Sequence, residues 1–149
     1  MKPQYEITLL QTAHLARVAE LERLCFSEPW SEHALTILTR DGGFGISAVT
    51  QDGELVGYGG MVTVLDEGQI TNIAVHPSYR RMGVGSSVLA ALTEEAARRG
   101  ITQLSLEVRA SNHAAKELYL GHGFAVAGTR KGFYRYPIED ALVMVKQKI

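Results

Sequence analysis

The first forty residues carry a hydrophobic pattern that predicts one strand followed by two helices. Residues 5–10 alternate as a strand does, and Thr12 is expected to cap the helix that follows. The apolar positions of that helix recur at helical spacing: Leu15, Val18, Ala19, Leu21, Leu24 and Cys25. After Pro29 a shorter helix is predicted, with Ser31 as its N-cap. The buried side of this second helix is expected to comprise Ala34, Leu35 and Leu38.

The next segment predicts an antiparallel meander of three strands. Segments 46–51 and 55–65 are rich in apolar and β-branched residues. Asp52-Gly53 lies between them and permits the positive φ angles of a tight hairpin. The third strand covers residues 69–75 and ends before Pro77, because proline cannot donate a hydrogen bond to a further strand.

A single crossover connection follows the meander. Residues 84–99 place apolar side chains at helical spacing and end at Gly100, and residues 104–108 are rich in β-formers. A strand, a helix and a second strand of one sheet connect through a right-handed crossover. The strand at 104–108 is therefore expected to lie parallel to residues 69–75.

The C-terminal part predicts one more helix and two strands. The helix covers residues 112–121, with Ser111 or Asn112 as its cap, and strands follow at 123–133 and 140–145. The predicted fold class is α/β, of the α+β kind. It has a mixed central sheet of about seven strands, an antiparallel N-terminal meander, one βαβ crossover and about four helices.

Composition and charge narrow the classes of function. The 149 residues fit one domain spanning 1–149, and fifteen basic against sixteen acidic residues leave a net charge of −1. This balance provides no bulk field for nucleic acid or a membrane surface. The single cysteine, Cys25, lies on an apolar helix face without an adjacent base and is assigned to packing. The five histidines lack the spacing of zinc ligands, so no bound metal is expected.

The N-terminal segment and the lengths of the apolar runs indicate the cellular compartment. The opening MKPQYEITLL is too short and too polar for a signal peptide, and no apolar run approaches the ~20 residues that span a bilayer. We therefore expect a cytoplasmic protein without membrane contact, present as a monomer or weak dimer.

The turn after the third meander strand has the features of a phosphate-binding loop. Its residues are Arg80, Arg81, Met82, Gly83, Val84 and Gly85, followed by Ser86. Glycines let a ligand approach the free amides at a helix N-terminus, where the macrodipole favours an anion. Arginine side chains and the hydroxyls of Ser86 and Ser87 add donors. We call residues 80–85 the arginine–glycine turn; the alternative is a surface loop with two solvated arginines.

Two other phosphate motifs fit this turn less well. A Walker A loop requires a lysine before Ser or Thr, and none lies between Arg80 and Val88. A dinucleotide fingerprint would continue to a third glycine, where this chain has Val88, and it would follow a parallel strand rather than a meander. Glu107 does lie near the spacing of a ribose-binding acid, so this reading stays as an alternative.

A strand, then Arg-x-x-Gly-x-Gly, then a helix, in a mixed sheet of this order, resembles the acetyl-CoA loop of the GNAT superfamily of N-acetyltransferases. Segments 29–31 (PWS), 71–75 (TNIAV) and 106–112 (LEVRASN) further resemble the bacterial ribosomal-protein-alanine N-acetyltransferases. The resemblance implies acetyl-CoA as cosubstrate, with its pyrophosphate on the arginine–glycine turn and no metal. Further cofactor contacts implied by it are the backbone of Ile73, Ala74 and Val75, and Asn112, which also suits a plain N-cap.

Two residues are candidates for the proton transfers of acyl transfer. Glu107 interrupts an apolar strand, and a carboxylate there suits removal of the amine's proton. The resemblance implies that it is the general base; the alternative is a strand-end glutamate that is solvated or paired with Arg109. For Tyr119 the resemblance implies a cofactor contact and a proton donor to the departing thiolate, and the alternative is a packing residue.

The acceptor amine is constrained by its proton affinity. An α-amino group has a pKa near ~7.8 and lysine near ~10.4, so deprotonation at pH ~7.4 costs about 0.5 against about 4 kcal/mol. A single carboxylate base favours a protein N-terminus, and the resemblance implies the N-terminal alanine of a small-subunit ribosomal protein. The family carries paired tyrosines at its acceptor site, and here Phe133 replaces the first, leaving Tyr134 as the expected contact. The alternative acceptors are a lysine, a polyamine or a small-molecule amine. The alternative function is a non-catalytic acyl-CoA-binding module that regulates a partner. The alternative for Phe133 and Tyr134 is that they form a hairpin edge.

Overall fold

The computed structural model describes residues 5–149 and contains a seven-stranded mixed sheet with four α-helices within that range. In chain order the elements are β1 (Tyr5–Leu9), α1 (Leu15–Cys25), α2 (Glu32–Leu35), β2 (Gly43–Thr50), β3 (Leu55–Val64), β4 (Glu67–Val75), α3 (Val84–Arg98), β5 (Gln103–Arg109), α4 (His113–Gly121), β6 (Ala125–Arg135) and β7 (Ile138–Gln147). The strand order is β1-β2-β3-β4-β5-β7-β6, and the β4–β5 pair is parallel while the other neighbours are antiparallel. The predicted fold class is confirmed.

Three details of the first two helices differ from the prediction. Thr12 begins a 3₁₀ turn, Thr12–His14, and is not the cap of α1. Leu24 is 55% exposed because it falls on the side of α1 opposite to the buried face, whereas Glu22 lies on the buried face and is itself fully buried. Ala34 is exposed, whereas Ser31 does cap α2, its Oγ accepting from the amide of Ala34 at 3.1 Å.

Helices cover both faces of the sheet, each over its own hydrophobic cluster. On one face α3 contributes Val84, Val88, Leu89, Leu92 and Ala96. On the other face α1 and the segment after it contribute Leu15, Val18, Ala19, Leu21, Leu35 and Leu38. Gly57 of β3 lets α3 sit close to the sheet, because a Cβ there would lie 2.7 Å from Cγ1 of Val84. The start of α3, and with it the arginine–glycine turn, is thereby fixed against β3.

The parallel pair β4–β5 separates partway along its length. Of the described residues, Glu67–Gln69 pair with Gln103–Ser105, and beyond them the two strands have no paired positions. The remainder of β4 pairs with β3 on its other side. We call the opening between residues 70–75 of β4 and 106–109 of β5 the β4–β5 gap.

None of the helices between residues 5 and 149 is both long and apolar enough to cross a bilayer.

Candidate active site

A cavity of about 280 Å³ lies at the β4–β5 gap. Its lining includes β4 at residues 70–73, β5 at 106–109 and the loop between α1 and α2 at 26–28. Of the residues predicted from sequence, Glu107, Tyr119, Ile73, Asn112 and Tyr134 all line it. The structure therefore brings together candidates that are up to 61 positions apart in the chain, since Ile73 and Tyr134 share one cavity.

Glu107 presents a restrained carboxylate to this cavity. Its side chain is 15% exposed, Oε2 accepts a hydrogen bond from Nε2 of Gln69 at 2.9 Å, and Oε1 lies 3.3 Å from Nε of Arg130. Neither contact involves Arg109, so the pairing considered from the sequence is not the one formed. Two donors hold the carboxylate at the β4–β5 gap.

Tyr119 enters the cavity from the α3 face. The residue is 6% exposed, and its ring packs edge-on against Phe124 with centroids 5.5 Å apart. Burial raises the pKa of the Tyr119 phenol well above its ordinary value, so the hydroxyl stays protonated at physiological pH. Among residues 5–149 this hydroxyl has no hydrogen-bond partner.

Glu107 and Tyr119 approach the gap from opposite faces of the sheet. Side chains alternate along β5, and Leu106 and Val108 point into the α3-side cluster that contains Tyr119. Glu107 must therefore point to the face covered by α1. A proton acceptor on one face and a proton donor on the other suit a transfer reaction. In such a reaction a base removes a proton from the attacking group on one side of the reacting carbon, and an acid protonates the leaving group on the other side.

The arginine–glycine turn leads into the N-terminus of α3. Gly83 caps this helix with φ +79°, a left-handed conformation that glycine adopts without a steric penalty, and Arg81 also has positive φ, at 63°. Val84 is buried, whereas Met82 and Gly83 are exposed. First-turn amides of a helix have no intrahelical acceptor, so this exposed end offers donors to an anion.

Side chains in and just after the arginine–glycine turn contact different parts of the fold. Nε of Arg80 donates to the carbonyl of Val75 at 3.4 Å, and its Nη2 lies 3.6 Å from Sγ of Cys25. Ser86 Oγ is 2.8 Å from Nε2 of His122, at the end of α4. Ser87, in contrast, lies 3.1 Å from the hydroxyl of Tyr5, on the side of β1. Its hydroxyl is thus committed to that strand rather than to the turn.

Asn112 has the local role that the sequence suggested. Its Oδ1 accepts from the amide of Ala115 at 3.1 Å, which makes Asn112 the N-cap of α4 and decides against Ser111. The amide of Ser111 instead donates to Glu139. Because Asn112 also lines the cavity, it occupies both the cap position and the cavity wall.

Arg109 was missed as a functional residue by sequence reasoning. Its guanidinium donates to the carbonyls of Tyr136 and Pro137 at 3.1 and 3.0 Å, and forms ion pairs with Glu28 at 3.1 Å and with Glu139 at 3.2 Å. It therefore joins the α1–α2 loop to the turn between β6 and β7 across the cavity. The available signal was its position on β5, two residues after Glu107 and hence on the same face.

Tyr134 lies beneath this guanidinium. The Cζ atom of Arg109 is 4.3 Å from the centre of the Tyr134 ring, a cation–π contact. Burial, followed by the nearby charge of Glu107, raises the pKa of Tyr134 to about 12. The phenol is therefore neutral and lies in the cavity lining together with Glu107. Phe133, its neighbour in the chain, is 47% exposed and does not line the cavity.

A buried carboxylate, Glu22, was also missed. It is fully buried and accepts hydrogen bonds from the amide of Trp30 at 2.8 Å, from the hydroxyl of Tyr58, and from Nδ2 of Asn72 at 3.0 and 3.1 Å. Burial raises the pKa of Glu22, and these hydrogen bonds oppose that shift. The available signal was a glutamate at position 22 of an otherwise apolar helix face, four residues after Val18.

Much of the chain that builds this cavity matches a known protein family. The sequence profile described as the Acetyltransferase (GNAT) family matches residues 15–124, from α1 through α4 and including the arginine–glycine turn. The chain belongs to the GNAT acetyltransferase family. It is accordingly an acetyl-CoA-dependent N-acetyltransferase.

Individual GNAT relatives cover nearly the whole chain. A [ribosomal protein bS18]-alanine N-acetyltransferase from Escherichia coli (strain K12) is 38% identical over 141 residues, which are 93% of this chain and 94% of the relative. The crystal structure of the ribosomal-protein-S18-alanine N-acetyltransferase from Escherichia coli superposes with a TM-score of 0.88 and 35% identity, covering 97% of this chain and 94% of that chain. A chain from the NatC complex bound to Gag peptide and CoA has a TM-score of 0.86 at 20% identity, covering 98% of this chain and 99% of that chain, and shows the shared fold alone.

Proposed function

We propose that this GNAT enzyme transfers the acetyl group of acetyl-CoA to the α-amino group of a protein N-terminus, namely the N-terminal alanine of a small-subunit ribosomal protein. The observation that carries the proposal is the 38% identity, over nearly the full length of both chains, to an enzyme named for that reaction. The low cost of deprotonating an α-amine also supports it, because one carboxylate base, with Glu107 as the proposed group, suffices for such an amine. Glu28 also lines the cavity but is paired with Arg109.

The residues of the chain fit acetyl-CoA as cosubstrate. The exposed amides at the start of α3, reached through Gly83, suit the pyrophosphate, with Arg80, Arg81 and the remaining residues of the turn around it. Where β4 leaves β5, residues 73–75 have no partner strand on that side among the described residues, and the carbonyl of Val75 accepts from the side chains of Arg80 and Cys25 there. This strand edge is the proposed partner of the pantetheine arm. Asn112, Ser86 and Tyr119 complete the proposed set of cofactor contacts.

The proposed reaction is direct attack of the amine on the thioester carbonyl. Glu107 accepts a proton from the amine as the new C–N bond forms, directly or through one water. The C–S bond then breaks, and Tyr119 donates its proton to the departing sulfur. Cys25 carries no acetyl group in this scheme, since its thiol donates to the carbonyl of Val75 at 3.5 Å and packs beside the α1-side cluster. Tyr134 lines the acceptor end of the cavity.

Acetylation of defined peptides tests the function. With acetyl-CoA and peptides beginning with Ala, Ser or Met, we expect mass spectrometry to find one acetyl group on the α-amine, fastest for Ala. Matched peptides with a blocked N-terminus and a free lysine serve as controls. Acetylation confined to the lysine controls would refute the N-terminal proposal, and absence of acetyl transfer to every amine would favour a non-catalytic acyl-CoA-binding module.

The proposed pyrophosphate site gives a second prediction. Gly83→Asp should weaken coenzyme A binding by roughly tenfold to a hundredfold, because a carboxylate about 5 Å from a phosphate costs on the order of 1–3 kcal/mol after solvent screening. Gly100→Asp is a matched control at the other end of α3. Both glycines have positive φ, at +79° and +84°, and neither has an atom within 4 Å of an added Cβ. Calorimetry that finds equal affinities for the two variants would exclude the arginine–glycine turn as the pyrophosphate site.

A further inference from the structure

A β-bulge turns the side chain of Asn72 toward the α1 face of the sheet. The register of β4 against β3 shifts by one residue there, so Thr71 and Asn72 together oppose Gly60. Ile70 and Ile73 both pack into the α3-side cluster although they are three residues apart. In a regular strand, residues two apart share a face, so the extra residue of the bulge accounts for this change. Asn72 consequently faces α1 and also lines the cavity.

Glu22 determines which end of the Asn72 amide faces the cavity. The amide of Trp30 donates to Oε1 of Glu22 and the hydroxyl of Tyr58 donates to Oε2, so both carboxylate oxygens act as acceptors. The atom of Asn72 that lies 3.0 and 3.1 Å from these oxygens must therefore be the amide nitrogen. Its Oδ1 then points away from Glu22, and within residues 5–149 it has no hydrogen-bond partner.

The free Oδ1 is an acceptor on the same sheet face as Glu107. A thioester carbonyl and its sulfur bear no hydrogen, so they cannot donate to it. A peptide N-terminus bears N–H groups at its α-amine and at its second residue. Glu22 is fully buried and holds the Asn72 amide through two hydrogen bonds, so the orientation of this acceptor is fixed before a ligand arrives.

We propose that Oδ1 of Asn72 accepts a hydrogen bond from an N–H group at the N-terminus of the acceptor peptide, and that Glu22 is the positioning residue that keeps this oxygen toward the cavity. The inference rests on the proposed N-terminal acetyl transfer and adds a residue that recognises the acceptor. The amide N–H groups of pantetheine are the competing donors to this oxygen. KM for the peptide and KM for acetyl-CoA, measured in an Asn72 variant, distinguish a contact with the peptide from a contact with pantetheine.

Replacement of Asn72 by the similarly shaped leucine tests the contact. Asn72→Leu should raise KM for an Ala-starting peptide about tenfold, which corresponds to one hydrogen bond, and leave KM for acetyl-CoA unchanged. Tyr58→Phe is the control, because it also removes a hydrogen bond from Glu22 but leaves the Asn72 amide in place; it should lower the unfolding temperature without changing the peptide KM. An unchanged peptide KM in Asn72→Leu, or a rise in the acetyl-CoA KM instead, would overturn the proposal.

A double-mutant cycle tests the positioning role of Glu22. A glutamine at position 22 carries an NH₂ group that favours the flipped Asn72 amide, so Glu22→Gln should raise the peptide KM several-fold. In the Asn72→Leu background the same change should leave the peptide KM unchanged. Additive effects of the two replacements would contradict the positioning role. If the unmodified enzyme acetylates no peptide, it is the proposed function that fails, so the two failures are distinguishable.

Discussion

Replacement of Glu107 by glutamine is expected to lower kcat for peptide acetylation by about 10²–10⁴-fold. The amide keeps the size of the side chain and can still contact Gln69, but it cannot accept the amine's proton. KM for acetyl-CoA should change little, since the proposed cofactor contacts lie on β4, on the arginine–glycine turn, at the start of α3 and on α4 with its cap, and do not include Glu107. Initial rates at saturating acetyl-CoA measure the effect, with thermal unfolding to verify that the variant is folded.

Glu117→Gln provides the matched control for this variant. Glu117 lies on α4, is exposed and does not line the cavity, so its replacement should leave kcat unchanged. A folded Glu107→Gln enzyme with the wild-type rate between pH 6 and 9, roughly the range that brackets an α-amine, would show that Glu107 is not the base.

The Tyr119→Phe variant should lose about 10²-fold in kcat and change KM for acetyl-CoA little, because the other proposed cofactor contacts and the Tyr119 ring are retained. The ring contact with Phe124 survives this change, so the loss reports the hydroxyl rather than the packing. Because burial raises the pKa of the Tyr119 phenol, the hydroxyl remains a proton donor throughout the neutral and mildly alkaline range. The wild-type rate should therefore rise as the α-amine deprotonates near pH ~7.8 and stay level to pH ~9.

Tyr5→Phe is a suitable comparison for Tyr119→Phe, because it removes a hydroxyl that contacts Ser87 outside the cavity. Its kcat should match that of the wild type. Were Tyr119→Phe to retain full kcat, or were the wild-type rate to decline between pH 7 and 9, the leaving sulfur would have to receive its proton from another group.

Sequence patterns predicted the elements that local chemistry determines. Ser31 was predicted as the cap of α2, and Ser111 or Asn112 as the cap of α4, because short side chains that accept hydrogen bonds at a helix start can be recognised from their neighbours. The structure confirms Ser31 and selects Asn112. The parallel pairing of β5 with β4 followed from the handedness of crossover connections, and it brought Glu107 beside the second half of β4.

The remainder of the site depends on contacts that sequence spacing does not encode. The bulge at Asn72 arises from the pairing of β4 with β3, and a one-residue shift there reverses which face a side chain takes. Glu22 is buried because the hydroxyl of Tyr58 and the amide of Trp30 donate to it. The helical pattern places position 22 on the buried face, but it does not show which groups satisfy a carboxylate there. Arg109 contacts residues 81 positions before it and 30 after it, so its role appears only in the folded chain.

A crystal structure with a bisubstrate analogue, coenzyme A joined through an acetyl group to the α-nitrogen of an Ala-starting peptide, tests the account most directly. We expect pantetheine in the β4–β5 gap along residues 73–75, the sulfur within about 3.5 Å of the Tyr119 hydroxyl, and the α-nitrogen within about 3 Å of Glu107 or of a water bound to it. A peptide that enters from the α3 face, or a sulfur far from both side chains, would contradict transfer between a base and an acid on opposite faces of the sheet.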